Sequence, residues 1–211
     1  MRLRSAATTM VLLLSATCLM AQDAFKIPKG SNLAIVVYED LECPHCAWAD
    51  TTLLDASRGY KIPLVRHDFP LPERLHPWAH KAHVYAVYFD SQSKELGEEF
   101  RQWVFVHQRE IFLANLRREV EMFAAEKGLH LPENVDPQGV FAAKVDADVA
   151  LGQSINLNHT PTVFVVSLLH GSLVHQEVDV SQLYSALESA KKALDASHPA
   201  KNRRTAAHPR G

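Results

Sequence analysis

Residues 39–50 read EDLECPHCAWAD. Cys43 and Cys46 stand two residues apart, and the chain has only three cysteines. Two buried thiols, a metal site and a redox pair are the readings open to such a spacing. Upstream, NLAIVVYED from Asn32 is apolar and β-branched, the pattern of a buried strand. Downstream, Pro44 falls where a first helical residue would be, a position that tolerates proline because its missing N–H would have no partner. The spacing predicts a helix from Pro44 to about Ala56, with an exit at Arg58 and Gly59.

Outward from this segment, KIPLVRHDFPL predicts a second strand ending near Pro70. A helical block follows. Leu75, Ala79, Ala82, Ala86 and Phe89 recur at three- and four-residue steps, as do Phe100, Trp103 and His107. Leu113, Leu116, Val120 and Phe123 repeat the pattern, Gly128 reads as a helix stop, and Phe141, Val145, Val149 and Gly152 mark another helix. These stripes read as core. The β pattern returns in TPTVFVVSLL and SLVHQEV, which flank His170 and Gly171 as a hairpin. A closing helix carries Leu183, Leu187, Ala190 and Leu194 on one face.

The 211 residues are 47% hydrophobic and 22% charged, which suits one globular domain with room for an insertion. A formal charge of -2 gives no reason to expect a nucleic acid partner. The start MRLRSAATTMVLLLSATCLMAQDAF reads as a secretory signal peptide over 1–21, cleaved after Ala21. Its apolar run is short for a membrane span of about 20 residues. LSAT ahead of Cys18 lacks the small residue expected before a lipidated cysteine. The last stretch, 196–211, is basic with few apolar residues and reads as a disordered tail. Cleavage would leave Cys43 and Cys46 alone, in a compartment where disulfides persist. A bridge across two residues closes a tiny loop and adds little stability, so chemistry is the better reason for the pair.

A strand, a Cys-x-x-Cys opening a helix, and a late Thr-Pro opening a strand form the thioredoxin layout. ECPHCAWAD, VRHDFPLPERLHPWAHKAH and ALGQSINLNHTPTVFVV together resemble the DsbA-like thiol-disulfide oxidoreductases. The resemblance implies an α/β thioredoxin fold over 22–195, with a helical subdomain inserted at about 73–150. It implies that Cys43 attacks, that Cys46 resolves, and that Pro44 and His45 tune the pair. It also implies a cis Pro161 beside the sulfurs, with Thr160 pairing to the substrate chain. The pair itself would be the redox group, without external cofactor or metal. Expected partners are reduced secreted proteins and a reoxidising membrane protein of the DsbB or vitamin K epoxide reductase type, with the protein acting as a monomer in the periplasm or otherwise outside the cytoplasm.

Two positions depart from the family pattern. Six residues before Cys43, where relatives often carry a glutamate, stands Val37, with Glu39 and Asp40 nearby. The residue before Thr160 is His159 rather than glycine, a candidate for the rim of the site. A cysteine at a helix N-cap faces unpaired N–H groups and the positive helix end, and such settings bring its pKa to roughly 3.5–7.5. A lower pKa stabilises the reduced form, so Pro44-His45 points to a donor of disulfides. A reductase or isomerase on the same fold is the alternative. A metal chaperone drawing on His76, His80 and His83 is another, and a peptide-binding adaptor a third. Trp48 and Leu41 read as packing around the helix start.

Overall fold

The computed structural model describes residues 23–197. The expected signal peptide with Cys18, and the expected tail beyond residue 197, lie outside the described residues. The order is β1 (Leu33–Glu39), α1 (Pro44–Tyr60), β2 (Leu64–Asp68), α2 (Ala79–Gln92), α3 (Lys94–His107), α4 (Leu116–Glu126), α5 (Val140–Ser154), β3 (Thr162–Leu169), β4 (Ser172–Val178) and α6 (Leu183–Ser197). Four strands form one sheet in the order β2-β1-β3-β4. β1 runs parallel to β2 through the α1 crossover, and the other pairs are antiparallel. Four helices, α2 to α5, stand between β2 and β3 as the inserted block. This is the thioredoxin fold with a helical insertion.

All seven residues of β1 are buried because both sheet faces are covered. On one face Ile35, Val37, Val163 and Val165 pack against Leu53 of α1 and Leu183 and Leu187 of α6. On the other, Val36, Tyr38, Phe164 and Val166 meet Phe69 and the apolar side of α5. Burying each such side chain contributes about 1.5–3 kcal/mol. The insertion has its own core around Phe89, Phe100 and Phe123, whose ring centroids lie 4.8 to 5.1 Å apart. Leu41, Cys43 and Cys46 belong to that same cluster. The cysteine pair therefore sits where sheet and insertion meet.

Local chemistry explains most boundaries. The His170-Gly171 turn has φ of 51° and 81°, the left-handed pair that matches the twist of a two-residue hairpin. Ser93 caps α3 by accepting from the Leu96 N–H at 3.0 Å. Other expectations need correction. α1 does not stop near Ala56 but continues to Tyr60 and ends at Lys61, which is left-handed with φ 55°. The extra turn is held by the Tyr60 ring beside the α6 cluster and by its hydroxyl donating to Glu188 at 2.5 Å. Leu75 and Leu113 fall before their helices and are 55% and 48% exposed, so they are not core. α6 reaches Ser197, two residues into the expected tail.

Candidate active site

Cys43 is the N-cap of α1, with extended φ −80° and ψ 119°, and Pro44 begins the helix. Its carbonyl accepts from the N–H groups of Cys46 and Ala47, while its own N–H donates to Asp40 O at 3.0 Å. Its sulfur lies 3.4 Å from the carbonyl oxygen of Thr160, across a cis Thr160–Pro161 bond at the start of β3. Both thiols are free. The Cys46 thiol hydrogen-bonds to the Cys43 sulfur, and this is the main reason the Cys43 pKa falls to about 5. Burial opposes the fall; Thr160 and the amides of Cys46 and His45 assist it. Cys46, one turn deeper, is pushed well above the ordinary thiol range, first by burial and then by its neighbour Cys43. Its sulfur accepts from the Asp40 N–H at 3.4 Å. The two thiols thus have opposite acidities.

The loop ahead of Cys43 is tied to the insertion at every residue. Asp40 Oδ2 accepts from the Leu71 N–H at 2.6 Å and contacts His76 Nδ1 at 2.7 Å. Leu41 donates its N–H to His83 Nε2 at 3.1 Å, and its carbonyl accepts from Gln108 Nε2 at 2.8 Å. Glu42 Oε2 accepts from the N–H groups of Trp78 and Ala79 at 2.8 and 2.9 Å, capping α2. Because His83 accepts at Nε2, its proton sits on Nδ1 and is donated to Asp68 at 2.7 Å.

An open groove of about 440 Å³ runs beside Cys43, lined by His45, Trp48, His159, Thr160, Pro161 and the end of β4. Trp48 is 66% exposed, so it does not pack around the helix start as Leu41 does. His159 is exposed and turned toward Asn158 Oδ1 at 3.3 Å. The structure therefore gathers Cys43, Cys46, His45, Pro44, Thr160, Pro161 and His159 around one end of the sheet.

A family model described as thioredoxin matches residues 29–189. The chain belongs to the thioredoxin family.

Within that family its fold is the DsbA-like form. The chain is 15% identical to Wolbachia pipientis alpha-DsbA2, a thiol-disulfide exchange protein, covering 84% of this chain and 95% of that one with a TM-score of 0.63. For Wolbachia pipientis alpha-DsbA1 the identity is 16%, the coverage 80% and 91%, and the TM-score 0.63. A thioredoxin-like oxidoreductase of Silicibacter pomeroyi is 23% identical over 83% of this chain and 96% of that one, with a TM-score of 0.58. Among curated relatives, Na(+)/H(+) antiporter NhaA 3 of Salinispora tropica is 26% identical over 81% of this chain and 26% of its own length. NhaA 1 of Mycolicibacterium vanbaalenii is 30% identical over 76% of this chain and 25% of its own length. The chain thus spans about a quarter of the antiporters it matches. No helix among its described residues is long and apolar enough to cross a membrane.

Beneath Cys43 and Cys46 of this thioredoxin-family chain lies a buried charge cluster that sequence reading did not find. Arg66 contacts Glu39 at 2.5 Å, Asp50 at 2.7 Å and Glu98 at 2.6 Å. Arg101 contacts Asp68 at 3.0 Å and Asp90 at 3.1 Å. Burial raises the Glu39 pKa, against the pull of Arg66 and Arg101, and Glu39 Oε1 is buried without a hydrogen-bond partner. Burial likewise raises Asp50. Asp68 goes the other way: burial would raise it, but Arg101 and His83 outweigh that and hold its carboxyl below the usual range. The charge on Glu39 is one of the influences raising Cys46. Val37, at the position expected to carry the acid, is packed in the sheet core. The only signal in the sequence was the run of charges in YED and VRHD, whose partners lie far apart along the chain.

The three histidines of HPWAHKAH do not share a helical face. His76 precedes α2, and each ring meets a different carboxylate: His76 with Asp40, His80 with Asp146, His83 with Asp68. Among the described residues no group of three or more His, Cys, Asp or Glu is placed to hold a metal ion.

Proposed function

We propose that this protein is an extracytoplasmic thiol-disulfide oxidoreductase that donates the Cys43–Cys46 disulfide to reduced secreted proteins. The observation that carries this reading is the placement of the pair: Cys43 caps α1 with its sulfur 3.4 Å from the Thr160 carbonyl oxygen, and Cys46 lies buried one turn deeper. Cys43 is held near pKa 5 at the helix start while Cys46 is pushed up. A stabilised Cys43 thiolate favours the reduced protein, and that makes the disulfide a better oxidant.

In the reaction, a client thiolate attacks Cys43 Sγ of the disulfide. The Cys43–Cys46 bond breaks, and Cys46 leaves with the electron pair. A second client thiolate then attacks the client sulfur of the mixed disulfide, and Cys43 departs as a thiolate. Two electrons pass from client to protein. Cys46 is buried and cannot stay charged, so it takes a proton as it leaves. The proton that the client thiol loses on ionising balances the one that Cys46 gains. Thr160 and Pro161 form the floor against which the client chain docks, and His45 and His159 stand at the rim. A membrane oxidase of the DsbB or vitamin K epoxide reductase type restores the disulfide, with the protein acting as a monomer.

The test is the redox equilibrium of the pair against glutathione, together with oxidation of a reduced model client. A potential well above the thioredoxin value of about −270 mV is expected. Equilibration near that value would make the protein a reductase instead.

A further inference from the structure

The groove beside Cys43 has an unbalanced charge. Among the described residues its ionisable side chains are His45, His159, Glu177 and Asp179, with no lysine or arginine. Glu177 lies near the end of β4, an edge strand, and Asp179 follows two residues later; both are exposed. Neither takes part in an ion pair among the described residues. Asp179 Oδ1 accepts from the Ser181 N–H at 2.8 Å and from its hydroxyl at 2.5 Å. These bonds lower the pKa of Asp179 and keep it ionised. Trp48, whose side chain is largely exposed, lines the same groove as the two carboxylates.

From this arrangement we infer that Glu177 and Asp179 select clients, favouring extended cysteine-bearing segments with lysine or arginine close to the reacting cysteine. The inference rests on the oxidoreductase reading above. A cationic side chain gains twice in this groove. It meets uncompensated negative charge, and its flat or extended stem can lie over the indole of Trp48. A client with glutamate at the same place meets repulsion instead. Because both carboxylates are solvent-exposed, the effect acts on encounter and docking more than on the sulfur chemistry, and salt weakens it.

The experiment compares two dithiol peptides that differ only in a lysine or a glutamate flanking the cysteine, each oxidised by the disulfide form of the full chain. At low ionic strength the lysine peptide should show a kcat/KM roughly three- to tenfold higher, the range expected of one or two exposed charge pairs. The ratio should fall toward one in high salt. It should also fall toward one in the Glu177→Gln, Asp179→Asn double variant, in which the amide oxygen at position 179 can still accept from Ser181. Glu177→Lys alone, which cancels the charge of Asp179, should likewise bring the ratio toward one. Equal rates in the parent at low salt, or a preference undiminished in the double variant, would overturn the inference. Failure to oxidise either peptide, with a glutathione-reactive disulfide intact, would instead sink the donor reading on which it stands.

Discussion

The sulfur of Cys43 lies 3.4 Å from the backbone oxygen of Thr160, a residue 117 positions further along the chain. One contact therefore joins the start of α1 to the start of β3 and brings the two halves of the thioredoxin motif, separated by the whole insertion, to a single point.

The acidity of Cys43 should be visible directly. Thiolate absorbance of the reduced protein should titrate with a midpoint near 5. The linked stability follows in sign. A folded pKa below the ordinary thiol value of about 8.5 contributes stability that is fully present above that value and is lost as pH falls through about 5. The raised Cys46 acts oppositely, and only as pH rises beyond the ordinary thiol range. The Tm of the reduced protein relative to the oxidised protein should therefore drop between about pH 8.5 and pH 5 and level off below. A difference independent of pH would mean that Cys43 is an ordinary thiol.

The two cysteines should fail differently when replaced. Cys43→Ser should abolish exchange with a client. Cys46→Ser should accumulate a covalent adduct, since the neighbouring thiol that returns the mixed disulfide to the Cys43–Cys46 bridge is gone. Mass spectrometry after incubation of the Cys46 variant with a mixed-disulfide or oxidised client reads the adduct, and a free chain alone would reverse the assigned roles.

His159 should not set the thiolate. It faces Asn158, and the acidity of Cys43 comes chiefly from Cys46, with help from Thr160 and nearby amides. Thiolate titration curves of the parent and His159→Ala should superimpose. A midpoint shifted upward in the variant would place the imidazole on the sulfur after all.

Arg66 is the counter-ion of Glu39, Asp50 and Glu98. Arg66→Met leaves those carboxylates without it, two of them buried. Removing one partner of a buried pair costs about 3–5 kcal/mol, so the midpoint of urea unfolding should fall sharply. A loss under about 1 kcal/mol, as for exposed pairs, would show that the cluster is solvated.

Gly97 of α3 packs directly against Asp90 of α2. A Cβ there would stand 2.9 Å from the backbone Cα of Asp90 and 2.0 Å from its carboxylate oxygen, which belongs to the partner of Arg101. Gly97→Ala should cost about 1–3 kcal/mol by forcing the helices apart, measured by thermal or urea unfolding. An unchanged stability would mean that the insertion is loosely packed.

Much of this protein is written in short-range pattern. Short apolar, β-branched runs bounded by turn residues placed β1, β3 and β4 to within two residues, because a strand is specified by a few consecutive side chains and the turns that flank them. His170-Gly171 marked its turn because few residues adopt a left-handed pair. Cys43, Pro44 and Cys46 announced a helix start with thiols because capping is local, within a few residues. Tertiary structure decided what local rules cannot reach. Whether α1 ended at Ala56 or Tyr60 depended on Glu188, and whether Trp48 was packed or open depended on β4 and the Thr160 loop. The three histidines of HPWAHKAH looked alike in sequence, yet only His83 is fully buried, holding Leu41 and Asp68. The Arg66 cluster joins residues 16 to 32 positions apart. A charge in a sequence does not name its partner; only the packed chain, by excluding water around Glu39 and Arg66, decides which charges must meet.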